Sequence, residues 1–215
     1  MPPVDDRPLL ALCMPGSEFS WMFLNSFAMF FPRLLEQYQT CVECATSNNI
    51  FVVRNRCVSD VLTATKGRQI DYVMWLDHDH IYDYEQFLVL KQALDEHPEL
   101  AGIGAWYYVQ SGTATGAEVA AGWFEDDRHL TVGEIADATE PIEVDYCGFG
   151  FLLMRGSAIQ FEKNPFNPVL HDGTFHGDDA SYMARAKDHG YRFAIHPKVH
   201  VTHLKLLGVA PSLTA

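Results

Sequence analysis

The sequence has few basic residues and no long uninterrupted apolar segment. It contains 15 Lys and Arg residues against 28 Asp and Glu residues, a formal net charge of -13, which disfavours tight, nonspecific binding to nucleic acid. The longest apolar stretch, residues 19–31, is interrupted by polar side chains and is shorter than the ~20 residues that span a bilayer. We expect no membrane span, and a packed helix at 19–31, with contact to a membrane surface as the alternative.

The sequence also lacks paired cysteine motifs and a secretory signal. Its five cysteines are odd in number and lie mostly in apolar segments, which is typical of reduced core residues in a cytosolic protein. Cys41 and Cys44 form one CxxC pair, but no second pair completes a zinc knuckle, so a β-strand is the expected setting. Asp5 and Asp6 precede the first short apolar run, unlike the basic start of a signal peptide. We therefore expect a cytoplasmic protein.

Candidate strands and helices alternate along the 215 residues. Strands are predicted at 9–14, 40–46, 72–76, 101–109 and 144–154, and helices at 17–36, 52–65, 84–96 and 178–189. This alternation favours an α/β fold, with a mostly parallel central sheet flanked by helices in a single Rossmann-like domain over 1–215. The Gly- and Ala-rich segment 111–141 is an expected excursion from the sheet, and 206–215 an expected tail.

Two aspartates follow the third predicted strand. Asp77 and Asp79 come directly after the apolar run Tyr72–Leu76, where the strand of an open α/β sheet meets the ligand crevice. Alternate residues of an extended segment point the same way, so both carboxylates can share one divalent cation, and that cation can hold a diphosphate. A short DxD motif also occurs by chance, and the simpler interpretation is that the aspartates cap the turn before the next helix.

A second acidic pair opens the last predicted helix. Asp178 and Asp179 follow Gly177, and acidic residues at a helix N-terminus stabilise it by about 0.5–1 kcal/mol through capping and the helix dipole. A loop-to-helix junction can equally present a carboxylate as a general base. The residues alone do not separate these two roles.

Three further polar residues are candidates for ligand binding. His203 follows the last predicted strand and matters only if the fold returns it to the Asp77 loop; otherwise it is an ordinary histidine. Arg54 and Asn55 lie near the start of the second helix, where a guanidinium can bind phosphate or a nucleotide ring. The alternative for both is a solvent-facing helix start.

Taken together, five segments resemble the GT-A glycosyltransferases, most closely the family-2-like members. The segments are the first strand (residues 9–15), the Arg-Asn pair (53–56), the strand with its DxD (72–79), the glycine-bearing strand (146–155), and Gly177-Asp178-Asp179 with Arg185, Gly190-Tyr191, Pro197 and His203. They occur in the family's order and cover residues 9–204 except for 111–141.

The resemblance implies a role for each matched residue. Asp79 binds the metal, Asp77 contacts the ribose or supports the metal, and His203 is the distant third ligand. Asp179 is the catalytic base of an inverting enzyme, and Asp178 stands where the family more often has Glu. The remaining implied contacts are Pro15, Arg54 and Asn55 for the nucleotide, and Gly148, Trp106 and Trp123 for the acceptor.

The implied activity is transfer of a sugar from a nucleotide-diphosphate donor, UDP- or GDP-type, to a hydroxyl acceptor, with Mn²⁺ or Mg²⁺ as cofactor. Segment 111–141 would form an acceptor loop or lid. The acceptor stays open among glycans, proteins, lipid-linked sugars and small molecules, and the acidic charge disfavours a modified DNA base. Alternatives are a nucleotide- or glycan-binding module, a metal-dependent hydrolase, and a nucleotidyltransferase, although residues 14–18 lack the Lys or Arg of a phosphate loop.

Overall fold

The computed structural model describes residues 6–110, 117–125, 128–171 and 173–205. The predicted tail at 206–215, and residues 111–116 and 126–127 of the predicted excursion, lie outside them. The helices are α1 (Trp21–Gln37), α2 (Ile50–Ala64), α3 (Tyr84–Glu96), α4 (Val132–Asp137) and α5 (Asp178–Asp188), with a short 3-10 helix at Gly156–Ile159. No helix within the described ranges is both long and apolar enough to cross a membrane.

The strands are short apart from those of the central sheet. In chain order they are β1 (Leu9–Pro15), β2 (Gln39–Ala45), β3 (Tyr72–Leu76), β4 (His80–Ile81), β5 (Gly102–Trp106), β6 (Tyr108–Gln110), β7 (Ala117–Val119), β8 (Ala121–Trp123), β9 (Arg128–His129), β10 (Ile142–Val144), β11 (Tyr146–Cys147), β12 (Phe151–Arg155), β13 (Leu170–His171), β14 (Thr174–Phe175), β15 (Phe193–His200) and β16 (Thr202–His203).

A seven-stranded sheet forms the centre of the fold, in the order β10-β15-β5-β12-β3-β1-β2. Five of its strands run in one direction, and β12 and β10 run the opposite way. The predicted α/β architecture is therefore confirmed, with the qualification that β12 inserts antiparallel between β3 and β5. Because β1 and β3 pair in parallel, their carboxyl ends open at the same edge of the sheet.

Both faces of the sheet are covered by helices, which explains why the central strands are continuously apolar. Leu10 and Leu12 pack toward α1 and α3, whereas Ala11 and Cys13 pack toward α2 and α5. Trp75 of β3 is fully buried on the second face. These alternating contacts fix the register of β1 and β3, since a one-residue slip would exchange the two faces of each strand.

Several predicted boundaries differ from the structure, including the strand 101–109, which is divided into β5 and β6. The first helix has its N-cap at Ser20, whose hydroxyl accepts a hydrogen bond from the Phe23 amide at 3.0 Å, rather than near Ser17. The predicted strand 144–154 is three strands, because Tyr146 and Cys147 pair with β8 outside the central sheet. The apolar content of this segment reflected burial, while its two glycines mark where it leaves one sheet for another.

The last short strand pairs with the loop that follows β3. In the antiparallel β4–β16 ladder, His203 lies opposite His80, and Thr202 lies opposite Ile81. The Leu204 amide also donates to the Asp79 carbonyl at 2.7 Å. The fold thus returns the end of the described chain to the Asp77–Asp79 loop.

Candidate metal and nucleotide site

A cleft of about 550 Å³ lies at the carboxyl ends of β1 and β3, within the size range of small-molecule sites. One wall is the end of β1 with the loop between β2 and α2, and the other is the start of α5. Of the described residues that line it, five are carboxylates and two are cationic, namely Glu18, Asp77, Asp79, Asp178 and Asp179 against Arg54 and Lys205. This excess of negative charge favours binding of a cation before any anionic ligand.

Asp79, His80 and His203 form a cluster on the floor of the cleft. One ligand atom from each lies within 4.8 Å of the others. His203 Nε2 is 3.1 Å from Asp79 Oδ2, and His80 Nδ1 is 3.0 Å from Asp79 Oδ1. The β4–β16 pairing stacks the two imidazoles, with centroids 4.5 Å apart and planes inclined by 9°.

The cluster has the donor set of a divalent-metal site. Burial alone would raise the pKa of Asp79, but the hydrogen bond to His203 and the close contact with the His80 imidazole hold this pKa well below its ordinary value, so the carboxylate is charged. His80 is 1 % exposed, and although Nδ1 is close to Asp79, neither ring nitrogen makes a well-oriented hydrogen bond to the described residues. A buried, unsatisfied nitrogen costs about 1–3 kcal/mol, and a bound cation would satisfy one of them.

Two glycines provide the space that this cluster occupies. A Cβ atom on Gly150 would lie 2.3 Å from His80 Nε2, and one on Gly148 would lie 1.9 Å from the Tyr107 hydroxyl oxygen. The Tyr107 ring in turn packs edge-on against His80, with centroids 4.4 Å apart. The glycine-bearing segment therefore packs directly against the side chains of His80 and Tyr107.

Arg54 holds a second group of carboxylates on the opposite side of the cleft. Its Nη1 and Nη2 donate to the two oxygens of Asp77 at 2.7 and 3.1 Å, and Nε donates to Asp178 at 2.9 Å. Nη2 also donates to Asp179 at 3.4 Å. Although burial opposes it, the Asp77, Asp179 and Asp178 charges raise the pKa of Arg54 further above its ordinary value, so the buried guanidinium stays charged.

The surroundings of Asp179 raise the pKa of its carboxyl group. Burial and the neighbouring Asp178 raise its pKa well above the ordinary Asp value, and Arg54 only partly opposes them. Its side chain is still 30 % exposed to the cleft. The Asp179 carboxylate is therefore a stronger base than an ordinary aspartate, which favours transfer of a substrate proton to it.

The structure brings seven of the predicted site residues into one cleft: Pro15, Arg54, Asp77, Asp79, Asp178, Asp179 and His203. Asp77 is bound to Arg54 instead of joining the Asp79 cluster. Arg54 itself does not present a free guanidinium to a phosphate, because its donors already bind three carboxylates. Arg54 lies two residues before Arg56, near the start of a predicted helix, and this position in the sequence does not predict its burial.

Four predicted residues are not among the described residues that line the cleft. The Asn55 side-chain oxygen accepts a hydrogen bond from the Phe166 amide at 3.0 Å, and Trp106 Nε1 donates to the Pro197 carbonyl at 3.0 Å. The Arg128 guanidinium covers the Trp123 ring at 3.9 Å. The open side of Gly148 is filled by Tyr107, as described above.

Three residues outside the predicted set of site residues also line the cleft, namely His80, Tyr107 and Lys205. His80 directly follows the DxD in the sequence, but its position as a possible ligand depends on the pairing of β4 with β16. Tyr107 falls inside the predicted strand 101–109, but it lies at the break between β5 and β6, where its buried side chain lines the cleft. Lys205, whose Nζ lies 3.9 Å from Asp79 Oδ2, carried no sequence signal.

The sequence matches no protein family, and no curated protein is significantly similar to it. Solved structures do share its fold. A197 from STIV aligns over 94% of this chain and 96% of its own, with 15% identity and a TM-score of 0.54. The structure of GalNAc-T7 with UDP, GalNAc and Mn²⁺ aligns over 96% of this chain, with 13% identity and a TM-score of 0.55.

These likenesses define the class of scaffold: the chain has a GT-A-like, glycosyltransferase-like fold. The chain spans 45% of the GalNAc-T7 chain that it matches. At these identities the shared property is the fold, and activity must be argued from the site.

Proposed function

We propose that the protein is a divalent-cation-dependent glycosyltransferase that moves a sugar from a nucleoside diphosphate to a hydroxyl acceptor. The observation that carries the proposal is the Asp79–His80–His203 cluster in the cleft at the carboxyl edge of the sheet. GalNAc-T7, solved with UDP and Mn²⁺ on a similar scaffold, supports a nucleotide-sugar donor of UDP type, and GDP remains the alternative.

Asp79, His80 and His203 would hold the cation. Two imidazoles and one carboxylate suit Mn²⁺ better than Mg²⁺, which prefers oxygen ligands. When bound, the cation supplies Lewis-acid stabilisation of the negative charge that develops on the leaving diphosphate. Lys205, whose Nζ lies 3.9 Å from Asp79 Oδ2, would add a second positive charge beside the cation.

Asp179 would act as the base in an inverting reaction. The acceptor oxygen forms a bond to the anomeric carbon while the bond from that carbon to the diphosphate oxygen breaks. The acceptor proton passes to the Asp179 carboxylate, and the nucleoside diphosphate leaves. Arg54 would fix Asp179 and Asp178 in place, and would orient Asp77 toward the ribose. Acceptor recognition by segment 111–141, including Trp123, and by Trp106 stays a prediction.

The first experiment is thermal unfolding of the full chain with a panel of nucleotide sugars, with and without Mn²⁺. A ligand that binds only the folded state raises the melting temperature. We expect a shift with a diphosphate sugar that requires Mn²⁺ and disappears in Asp79→Ala. Asp137→Ala, which removes an exposed carboxylate at the end of α4, is the matched control and should retain the shift. Equal shifts with and without EDTA would refute the metal role.

A binding module without catalysis is the second candidate, because both candidate bases are paired with Arg54 in the structure. Turnover separates the two. Donor binding without sugar transfer to any acceptor would favour the module, and sugar release without an acceptor would favour a hydrolase. Asp179→Asn should lower kcat strongly while donor affinity changes little, as expected for a group that acts in the transition state.

A further inference from the structure

A second cleft, of about 580 Å³, adjoins the candidate site. It shares four residues with the first cleft, and these are Glu18, His78, Asp79 and Lys205. The rest of its wall comes from the start of α1 and from Leu204. The two clefts therefore meet at Asp79, and a molecule that occupies one can reach into the other.

The wall contributed by α1 is apolar and exposed. Trp21, the first residue of the helix, is 73 % exposed, and Phe19 and Met22 complete this side. Along the helix, Leu24 and Met29 are 51 % and 72 % exposed. Residues 21–32 contain no charged side chain, and exposed apolar side chains continue along the outer surface of α1 for about three turns, interrupted by the exposed Asn25.

Aromatic rings connect this surface with the DxD loop. Phe19, Phe23, Phe27 and Phe31 follow one another at four-residue spacing, with centroids 5.0–6.1 Å apart. Phe19 in turn meets the His78 ring edge-on at 6.4 Å. The second cleft thus has an apolar side along α1 and a charged end at Asp79 and Lys205, the shape of a site for a molecule with an apolar chain and a polar head.

We propose that this cleft binds the hydrocarbon chain of an amphiphilic acceptor, whose hydroxyl-bearing head enters the first cleft. The inference rests on the proposed function, since it names the class of acceptor for the same site. The chain would lie against Trp21 and Met22. The head would pass Asp79 and Lys205 toward the Asp179 side.

Two other occupants fit this surface less well. Attraction to an anionic bilayer calls for a cluster of Lys and Arg beside the apolar face, whereas α1 has Arg33 as its one basic residue and the chain is strongly acidic. A second copy of the chain, packed on the exposed apolar side chains, would not account for the charged end of the cleft at Asp79 and Lys205. A single hydrocarbon chain that lies along the second cleft would contact its apolar wall and leave the first cleft open.

The test is direct binding of n-octyl β-glucoside, below its micelle concentration, to the full chain by calorimetry. Glucose at the same concentrations supplies the head without the chain. We expect octyl glucoside to bind and glucose to bind at least roughly tenfold more weakly, because the apolar contact supplies most of the affinity. Trp21→Glu should weaken octyl glucoside binding by roughly tenfold or more. Leu170→Glu, at another exposed apolar residue outside the cleft, should leave it unchanged.

Several results would overturn the inference. These are no binding of octyl glucoside, equal binding of glucose, or equal affinity in Trp21→Glu. Attachment of the protein to phosphatidylcholine vesicles would also overturn it, if Trp21→Glu abolishes attachment while octyl glucoside still binds. The same holds for a protein dimer, detected by dilution, that Trp21→Glu abolishes while octyl glucoside still binds. UDP and GDP binding with Mn²⁺ is measured on the same preparations. Nucleotide binding without octyl glucoside binding would refute the inference alone, and the reverse result would refute the proposed function while retaining an amphiphile site.

Discussion

The two sides of the candidate cleft differ in how completely their polar groups are satisfied. On one side, Arg54 binds Asp77, Asp178 and Asp179 through charge-assisted hydrogen bonds. On the other, His80 is buried with neither ring nitrogen in a well-oriented hydrogen bond to the described residues. We call the first group the complete side, because its polar groups are paired within the protein, and the second the incomplete side, because the ring nitrogens of His80 are not. A cluster of buried carboxylates is therefore weak evidence of a metal site by itself. A buried potential ligand atom without a hydrogen-bond partner is stronger evidence.

Removal of Arg54 should have the largest effect, because the complete side depends on it. Arg54→Ala leaves three neighbouring carboxylates without their cation, and we expect a loss of about 3 kcal/mol in the free energy of unfolding. Arg54→Lys should recover little, since an ammonium cannot reproduce the bidentate contact with Asp77. Urea unfolding measures both variants.

Arg56→Ala is the control for this prediction. Arg56 is exposed on the same helix, and its Nη1 donates to the Thr46 carbonyl at 3.2 Å. Its removal should cost below about 1 kcal/mol. Equal losses for the two variants would mean that the Arg54 contacts are no more important than a surface hydrogen bond.

His80→Leu, on the incomplete side, should change stability little and metal affinity strongly. Because the imidazole nitrogens are poorly satisfied, an apolar side chain of similar size should leave the metal-free stability unchanged or raise it by up to about 1 kcal/mol. Mn²⁺ affinity should fall by roughly 100-fold with the loss of a ligand. Calorimetric Mn²⁺ titration and metal-free urea unfolding give the two values.

The exposed His200, two residues before β16, provides the control. His200→Leu should keep the wild-type Mn²⁺ affinity. A His80→Leu protein that binds Mn²⁺ normally would remove His80 from the site and leave Asp79 and His203 as an ordinary ion pair. A strong loss of metal-free stability would show that His80 is already satisfied by Asp79.

Gly150→Ala tests the support behind His80 and should have a smaller effect. The new Cβ would lie 2.3 Å from His80 Nε2, so the ring must move, and Mn²⁺ affinity should drop by about tenfold. Overpacking should also cost about 1–3 kcal/mol of stability. Gly133→Ala, where the nearest atom to a new Cβ is 4.0 Å away, should change neither value. Unchanged metal affinity in Gly150→Ala would show that the ring position does not matter.

The sequence predicted one part of this arrangement better than the other. The strand Tyr72–Leu76 and helix α3 match their predicted bounds, because burial on both faces and a capping box at Asp83 are local signals. The Asp77–Asp79 loop followed from the end of that strand. The proximity of His203 to Asp79 follows from the β4–β16 pairing, which two-residue strands cannot signal in sequence. The resemblance to GT-A enzymes supplied it instead.

The burial of Arg54 was beyond prediction for a related reason. Helical periodicity assigns faces of α2, but it does not show that α5 and the β3 loop bring three carboxylates to the same face. The role of Gly150 likewise depends on a long-range contact. Motif spacing located the residues that carry charge, and tertiary contacts decided which charges are paired.

Asp179→Asn should produce a small, pH-dependent change in stability, and its sign tests whether the complete side contains a carboxyl group that can act as a base. A carboxyl whose pKa is raised by folding stabilises the native state at pH values below its unfolded pKa, and this contribution disappears as pH rises through the raised value. Asparagine does not titrate, so the variant should gain stability relative to the wild type as pH rises from below about 4 through the raised pKa of Asp179. Asp137→Asn controls for an exposed carboxylate. If the wild type instead gains stability over Asp179→Asn with rising pH, Arg54 outweighs burial, Asp179 is a permanently ionised partner of that guanidinium, and its suitability as the catalytic base is lost.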